Sequence, residues 1–224
     1  MATWPLNWNV VRHDLVVGSC PRTPSDLDAL RVETRVSAVL SVQHDECLAQ
    51  HQIDYPRQVR YGRRLGLTME RCPLRDFDPA DQRRGLPAAV RGLHGLLRQG
   101  HRVYVHCTYG LNRAPLVAAA YLMLIEGLEW QAVRDLVNHA RPDALPHWGV
   151  LFGGCEALTA QDAARIHQRA EELSPGAAPD AEVWQRAERD IGREGLTAGS
   201  ARIRPCCKPA VLVEHERPVP VRVP

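Results

Sequence analysis

Short apolar and β-branched runs alternate along the chain with longer segments whose apolar positions recur at helical spacing. Residues 14–18 (DLVVG) read as a strand that ends in a turn over 19–24. Ser25 is placed as the cap of a helix over 26–32. Residues 36–42 (VSAVLSV) have the composition of a strand buried on both faces. A helix follows over 54–65 and a short strand over 70–74. Pro87 reads as the opening of a helix that runs to Gln99 and stops at Gly100. Residues 102–106 (RVYVH) predict a strand and 114–126 a strongly apolar helix, with a loop over 107–113 between them. The alternation predicts an α/β fold, a central and mainly parallel sheet flanked by helices. Ligands of such sheets sit beyond the carboxyl ends of the strands, where the 107–113 loop falls.

A second region begins near 158. Helices are expected over 159–173 and 181–193, joined by a Pro/Gly turn, which makes a small helical hairpin over 158–195. Residues 196–224 mix Pro, Arg and Val around Cys206 and Cys207 and read as an extended or disordered tail. The expected organisation is one domain over 1–157, the accessory hairpin, and the tail.

Composition narrows the function classes. A chain of 224 residues with 45% hydrophobic content suits one compact domain plus an accessory segment. The net charge of +2 creates no global field toward nucleic acid or a membrane surface, so attraction of anions has to come from a local site. Apolar runs such as 118–125 are too short to span a bilayer. The amino terminus lacks the basic-then-apolar order of a secretion signal. Seven cysteines at irregular positions fit a reducing compartment. The expectation is a soluble, cytoplasmic protein, although a plastid protein trimmed of its transit peptide reads the same. No pattern sets an oligomeric state.

The decisive segment is HCTYGLNR at 106–113, a Cys and an Arg separated by five residues. Five residues curled around a tetrahedral oxyanion aim several backbone N–H groups at its oxygens. Thr108, Tyr109, Gly110, Leu111 and Asn112 are the candidate phosphate-binding residues, and the next helix adds the positive end of its dipole. Arg113 is placed to grip two oxygens in a bidentate fork. Such surroundings bring a thiol from about 8.5 to roughly 3.5–7.5, so Cys107 is the candidate nucleophile, attacking phosphorus as a thiolate to form a phosphocysteine. His106 is expected to brace the loop from behind. Departure of the leaving oxygen needs a proton donor. Asp76 is the candidate, within a turn-rich loop where Asp78 and Asp81 compete on the residues alone. The chemistry calls for no metal and no cofactor.

With these residues in place, the chain resembles the dual-specificity class of protein tyrosine phosphatases, and within it the plant starch-excess and laforin-type glucan phosphatases. The likeness spans about residues 6–165. It is carried by DLVVGSC at 14–20, TPSDLD at 23–28, RDFD at 75–78, LPAAV at 86–90, VYVHCT at 103–108 and RAP at 113–115. The resemblance implies a cysteine-phosphatase fold, Asp76 as general acid, and a phosphorylated glucan or phosphoprotein substrate. The Ala114-Pro115 ending is that of the glucan branch. The centre of the loop, Tyr109-Gly-Leu-Asn112, departs from the usual Ala-Gly-x-Gly and looks more like the RNA triphosphatase branch. Glucan phosphatases stack sugar rings on aromatic residues, and Trp8 and Phe77 fall where two are expected, whereas a further aromatic pair is replaced by Gln50-His51. Substrates therefore rank as phosphoglucan, then phosphoprotein, then RNA 5′-phosphate. Residues 165–170 and 184–189 resemble a small helical hairpin found in bacterial proteins.

Plainer readings stand beside these. Phe77 serves as a ligand platform or as lid packing, and Trp8 as a cleft wall or as an anchor of the amino terminus. Trp184 glues the hairpin. Cys20, Cys47 and Cys72 are structural unless close enough to trap Cys107. Arg57, Arg60, Arg63 and Arg64 form a solvated helix face or greet a polyanion. A phosphate-binding module without turnover would be indicated by loss of Cys107, Arg113 or Asp76, and all three are present.

Overall fold

The computed structural model describes residues 4–159 and 162–198. Its five-stranded sheet has the order β1-β2-β5-β3-β4. Strands β2 (Leu15–Gly18), β5 (Val103–His106), β3 (Ala38–Gln43) and β4 (Thr68–Leu74) run parallel, and β1 (Trp8–Arg12) pairs antiparallel with β2 at the edge. The loops that follow the four parallel strands therefore gather along one rim of the sheet.

Period-two alternation divides the strand side chains between two cores. Leu15, Val17, Leu40, Val103 and Val105 face the larger one, while Val16, Val39 and Tyr104 face the other with Leu27 and Leu30 of α1 (Pro24–Thr34). The larger core takes its helical side from α4 (Pro79–Arg98) and α5 (Arg113–Leu124). The remaining helices are α2 (Asp45–Gln50), α3 (Tyr55–Arg64), α6 (Trp130–Ala140), α7 (Trp148–Thr159), α8 (Ala163–Leu173) and α9 (Ala181–Thr197).

Two helix starts differ from expectation. Thr23, not Ser25, caps α1: its hydroxyl accepts from the Asp26 N–H at 3.2 Å, and the Asp26 carboxylate accepts from the Thr23 N–H at 2.9 Å. That reciprocal pair, with Pro24 in the first turn, outcompetes a lone serine. Helix α4 opens at Pro79 behind the cap Asp78, and Pro87 lies inside it. An internal proline costs a helix about 3 kcal/mol. Burial of Leu86, Val90, Leu93 and Leu96 along the same helix outweighs that loss, at about 1.5–3 kcal/mol per side chain. Gly100, with φ of +82°, ends the helix as expected.

In the second region α8 and α9 pack through Ile166, Ala170, Ala187 and Ile191, with Trp184 against them. Arg165 and Arg169 reach Glu194 at 2.8 and 2.6 Å. The boundary expected at 157/158 falls within α7, and Leu196 of α9 joins the larger core. Residues 199–224, including Cys206 and Cys207, lie outside the described residues.

Leu93 is fully buried in α4 against the sheet. Leu93→Ala is expected to lower stability by about 2–5 kcal/mol, read as a shift of the denaturant midpoint.

Candidate active site

Strand β5 is buried along its whole length and delivers the 107–112 loop to the rim beside the ends of β2 and β3. At the crest of the loop Gly110 has φ of +74°, and a Cβ there would lie 2.4 Å from the backbone of Gly18. Only glycine allows so close an approach of loop to β2. Cys107 is 2% exposed at the base of the loop. Among the described residues, no N–H of 108–113 donates a hydrogen bond, and no side chain caps α5 where it starts at Arg113. The cup thus has its donors free.

Arg113 is 1% exposed and heads the largest fully buried side chains. Its Nη1 donates to the Leu74 carbonyl at 3.0 Å and to Cys47 Sγ at 3.4 Å. Its Nη2 donates to Asp76 Oδ2 at 2.6 Å and to Thr108 Oγ1 at 3.1 Å. Its Nε is buried without a partner. Of the three candidate carboxylates, Asp76 is the one that meets Arg113. Asp78 accepts from the Asp81 N–H at 2.9 Å as the cap of α4, and Asp81 accepts from the Arg75 N–H at 2.7 Å. Between Asp76 and Asp78, Phe77 adopts φ of +53° and is 89% exposed.

The surrounding supports were largely invisible in the sequence. Gln43, buried at the end of β3, donates to Thr108 Oγ1 at 3.0 Å. Cys47 reaches Arg113 from α2, a six-residue helix that periodicity cannot announce. Two ion pairs tie α2 to β4 and the acid loop: Arg71 to Asp45 at 2.5 Å and Arg75 to Glu46 at 2.9 Å. Cys20 donates its N–H to the Thr108 carbonyl at 2.9 Å, and burial pushes its thiol up to about 12. His106 is buried at the end of β5, behind the loop. Its Nδ1 is 3.1 Å from the Cys107 carbonyl, so that nitrogen carries the hydrogen, and burial pushes its pKa down to about 4.

Tyr109 is 42% exposed and its ring meets Trp4 at 4.6 Å and His51 at 6.0 Å between centroids. The Arg22 guanidinium lies 4.9 Å over Trp4. Trp8 is part-buried against the Val16, Leu27 and Leu30 cluster, the packing that the anchoring alternative expects. Arg57, Arg60, Arg63 and Arg64 are exposed on α3.

Sequence and overall fold both resemble those of known proteins. Residues 35–153 match the family described as dual specificity phosphatase, catalytic domain. The chain belongs to that family. Curated relatives of this dual-specificity phosphatase include the phosphoglucan phosphatase DSP4, amyloplastic, of Castanea sativa, 36% identical over 61% of the chain, and laforin of Mus musculus, 27% identical over 61%. The matched stretches cover only 36% and 44% of those proteins. Among solved structures, PTPMT1 aligns over 70% of the chain and 99% of its own, with a TM-score of 0.57 at 19% identity. Human DUSP28 aligns over 71% and 99%, with a TM-score of 0.52 at 26% identity. No helix among the described residues is long and apolar enough to cross a membrane.

The buried His106 makes the fold acid-sensitive. Its folded pKa of about 4 lies below the usual 6.5, so between these values the unfolded chain holds a proton that the folded chain excludes. Stability is complete above about pH 6.5 and falls toward pH 4, by up to about 3 kcal/mol from this group. His51 and His94, also lowered by burial, act in the same direction. Replacing His106 by Asn should flatten the profile in that window while the contributions of His51 and His94 remain, as read by denaturant unfolding at pH 4.5 and pH 7.

Proposed function

We propose that this chain is a cysteine-dependent phosphomonoesterase that acts on phosphorylated glucan. The observation that carries the catalytic reading is the convergence on one cup of Cys107, the buried Arg113 and Asp76. A phosphate monoester seats on the free loop N–H groups and on Arg113 Nε. Its oxygens then displace the Asp76 carboxylate from Nη2, which completes the bidentate grip. The Cys107 thiolate attacks phosphorus, an S–P bond forms, and the P–O ester bond breaks. Asp76, which takes up a proton from solvent once displaced from Arg113, gives that proton to the departing oxygen. Water then attacks the phosphocysteine, the Asp76 carboxylate accepts a proton from it, and inorganic phosphate leaves as the thiolate is restored. His106, Thr108 and Gln43 hold the geometry.

The glucan assignment rests on two supports. Relatives named as phosphoglucan phosphatases are 36% and 31% identical to this chain over their matched stretches, and Phe77 stands exposed beside Asp76, shaped for the face of a sugar ring. Phosphoprotein is the competing substrate class. A reducing compartment, cytoplasm or plastid stroma, suits the free thiols of Cys20, Cys47, Cys72 and Cys107.

Phosphate release from phosphorylated amylopectin, a phosphotyrosine peptide and p-nitrophenyl phosphate tests the proposal. Wild type is expected to act on all three, with amylopectin highest in kcat/KM, and Cys107→Ser to be inactive. Release from the peptide but not amylopectin would move the substrate to phosphoprotein, and no release at all would sink the enzyme reading. Asp76→Asn should cost about 10²–10⁴ in kcat on amylopectin, whose alkoxide needs a proton, and much less on p-nitrophenyl phosphate.

A further inference from the structure

Arg141 sits at the carboxyl end of α6 and is 6% exposed. Its Nη1 donates to Asn9 Oδ1 at 2.7 Å, and its Nη2 donates to Asn7 Oδ1 and, at 3.0 Å, to the Tyr109 carbonyl. Among the described residues it makes no ion pair, and its Nε is buried without a partner. A buried guanidinium normally requires a countercharge or full hydrogen bonding. Here two neutral amides and one loop carbonyl receive it, and the carboxylate that acts on it is Asp143, through space and without an ion pair.

The contact with Tyr109 has a geometric consequence. The Tyr109 carbonyl and the Gly110 N–H belong to one planar trans peptide, so they point in opposite directions. Holding the carbonyl on Arg141 fixes the Gly110 N–H pointing away from Arg141, and that N–H has no acceptor among the described residues. The anchor is itself rigid. Asn7 exchanges backbone and side-chain hydrogen bonds with Ser19 at 3.0 Å, and the Tyr104 hydroxyl donates to the Ser19 carbonyl at 2.5 Å. Gly110 packs directly against Gly18 and Ser19.

We propose that Arg141, mounted on Asn7 and Asn9, is a positioning residue that aims the Gly110 N–H at bound phosphate and adds a buried positive charge behind the loop. It acts through the loop rather than on the reacting atoms. The proposal rests on the reading of the 107–113 loop as a phosphate cup, but not on turnover or on the identity of the substrate.

The test is calorimetric binding of inorganic phosphate at pH 7 to the full chain carrying Cys107→Ser, with Arg141 intact or changed to Met or Lys. Arg141→Met retains bulk but neither charge nor fork, and is expected to weaken phosphate binding about ten-fold or more. Arg141→Lys restores the charge without the three-way fork and should recover part of that loss. In the Cys107 background the same Met change should lower kcat on p-nitrophenyl phosphate by about 10²-fold, the scale expected when a reacting group is misplaced by 1 Å. A residue that merely stabilises the fold would lower Tm in both variants while leaving phosphate affinity of the folded protein within two-fold, and that result would overturn the proposal. Should Arg141→Met not fold, the Lys variant decides: parental affinity overturns the proposal, and a several-fold loss supports it. Absence of phosphate binding with Arg141 intact would overturn the cup reading and this proposal together.

Discussion

A guanidinium with 1% exposure cannot be left without acceptors, and the position of Arg113 imposes that requirement on the rest of the molecule. Its acceptors come from separate elements: the Leu74 carbonyl at the end of β4, Cys47 in α2, Asp76 in the acid loop and Thr108 in its own loop. Each has to arrive within about 3 Å of one planar group. Parallel pairing of β3 with both β4 and β5 does this, because it brings the ends of all three strands to the same rim. The ion pairs Arg71–Asp45 and Arg75–Glu46 then hold α2 over that rim. The arrangement satisfies Nη1 and Nη2 while leaving Nε open, so the site is rigid in its frame and vacant in one direction only.

A second buried guanidinium, Arg141, stands on the other side of the loop. The two cations have different dependents. Arg113 gathers Leu74, Cys47, Asp76 and Thr108 around itself, whereas Arg141 holds the Tyr109 carbonyl and the segment 7–9. Gly110 makes the second arrangement feasible, since any side chain there would collide with Gly18. The departure at Tyr109 therefore changes what the loop presents outward to Trp4 and His51, while the backbone function of that position is carried by its carbonyl.

The sequence disclosed the cup because its chemistry is local: Cys107, Arg113 and the residues between them are contiguous, and β5 and α5 flank them. It disclosed the strands wherever both faces are buried, as in 36–42, since a continuous apolar run has few other uses. It missed β1 and α2 because five or six residues carry too little periodicity, it passed over α6 and α7 although each spans about three turns, and it misplaced the start of α4 because Pro87 looked like a stronger punctuation than Pro79. Asp76 could not be told from Asp78 and Asp81 by composition. The distinction is tertiary, as Asp78 and Asp81 serve the α4 terminus while Asp76 is drawn to a cation 37 positions away. Gln43, Cys47, Arg141 and Trp4 left no signal, because each acts through a partner distant in the chain.

Phe77 marks where structural necessity ends. A bulky residue at φ of +53° is strained, and a side chain 89% exposed gains almost nothing from burial in return. The two neighbours explain the path of the backbone, one bound to Arg113 and the other capping α4, but a glycine or asparagine between them would meet that path at lower cost. The identity of the residue thus serves neither the fold nor the phosphate cup. What remains is the volume just outside the cup, into which an aromatic face is exposed beside Asp76. The cup is built from buried groups that hold one another, and beside it stands an exposed one that the fold itself does not need.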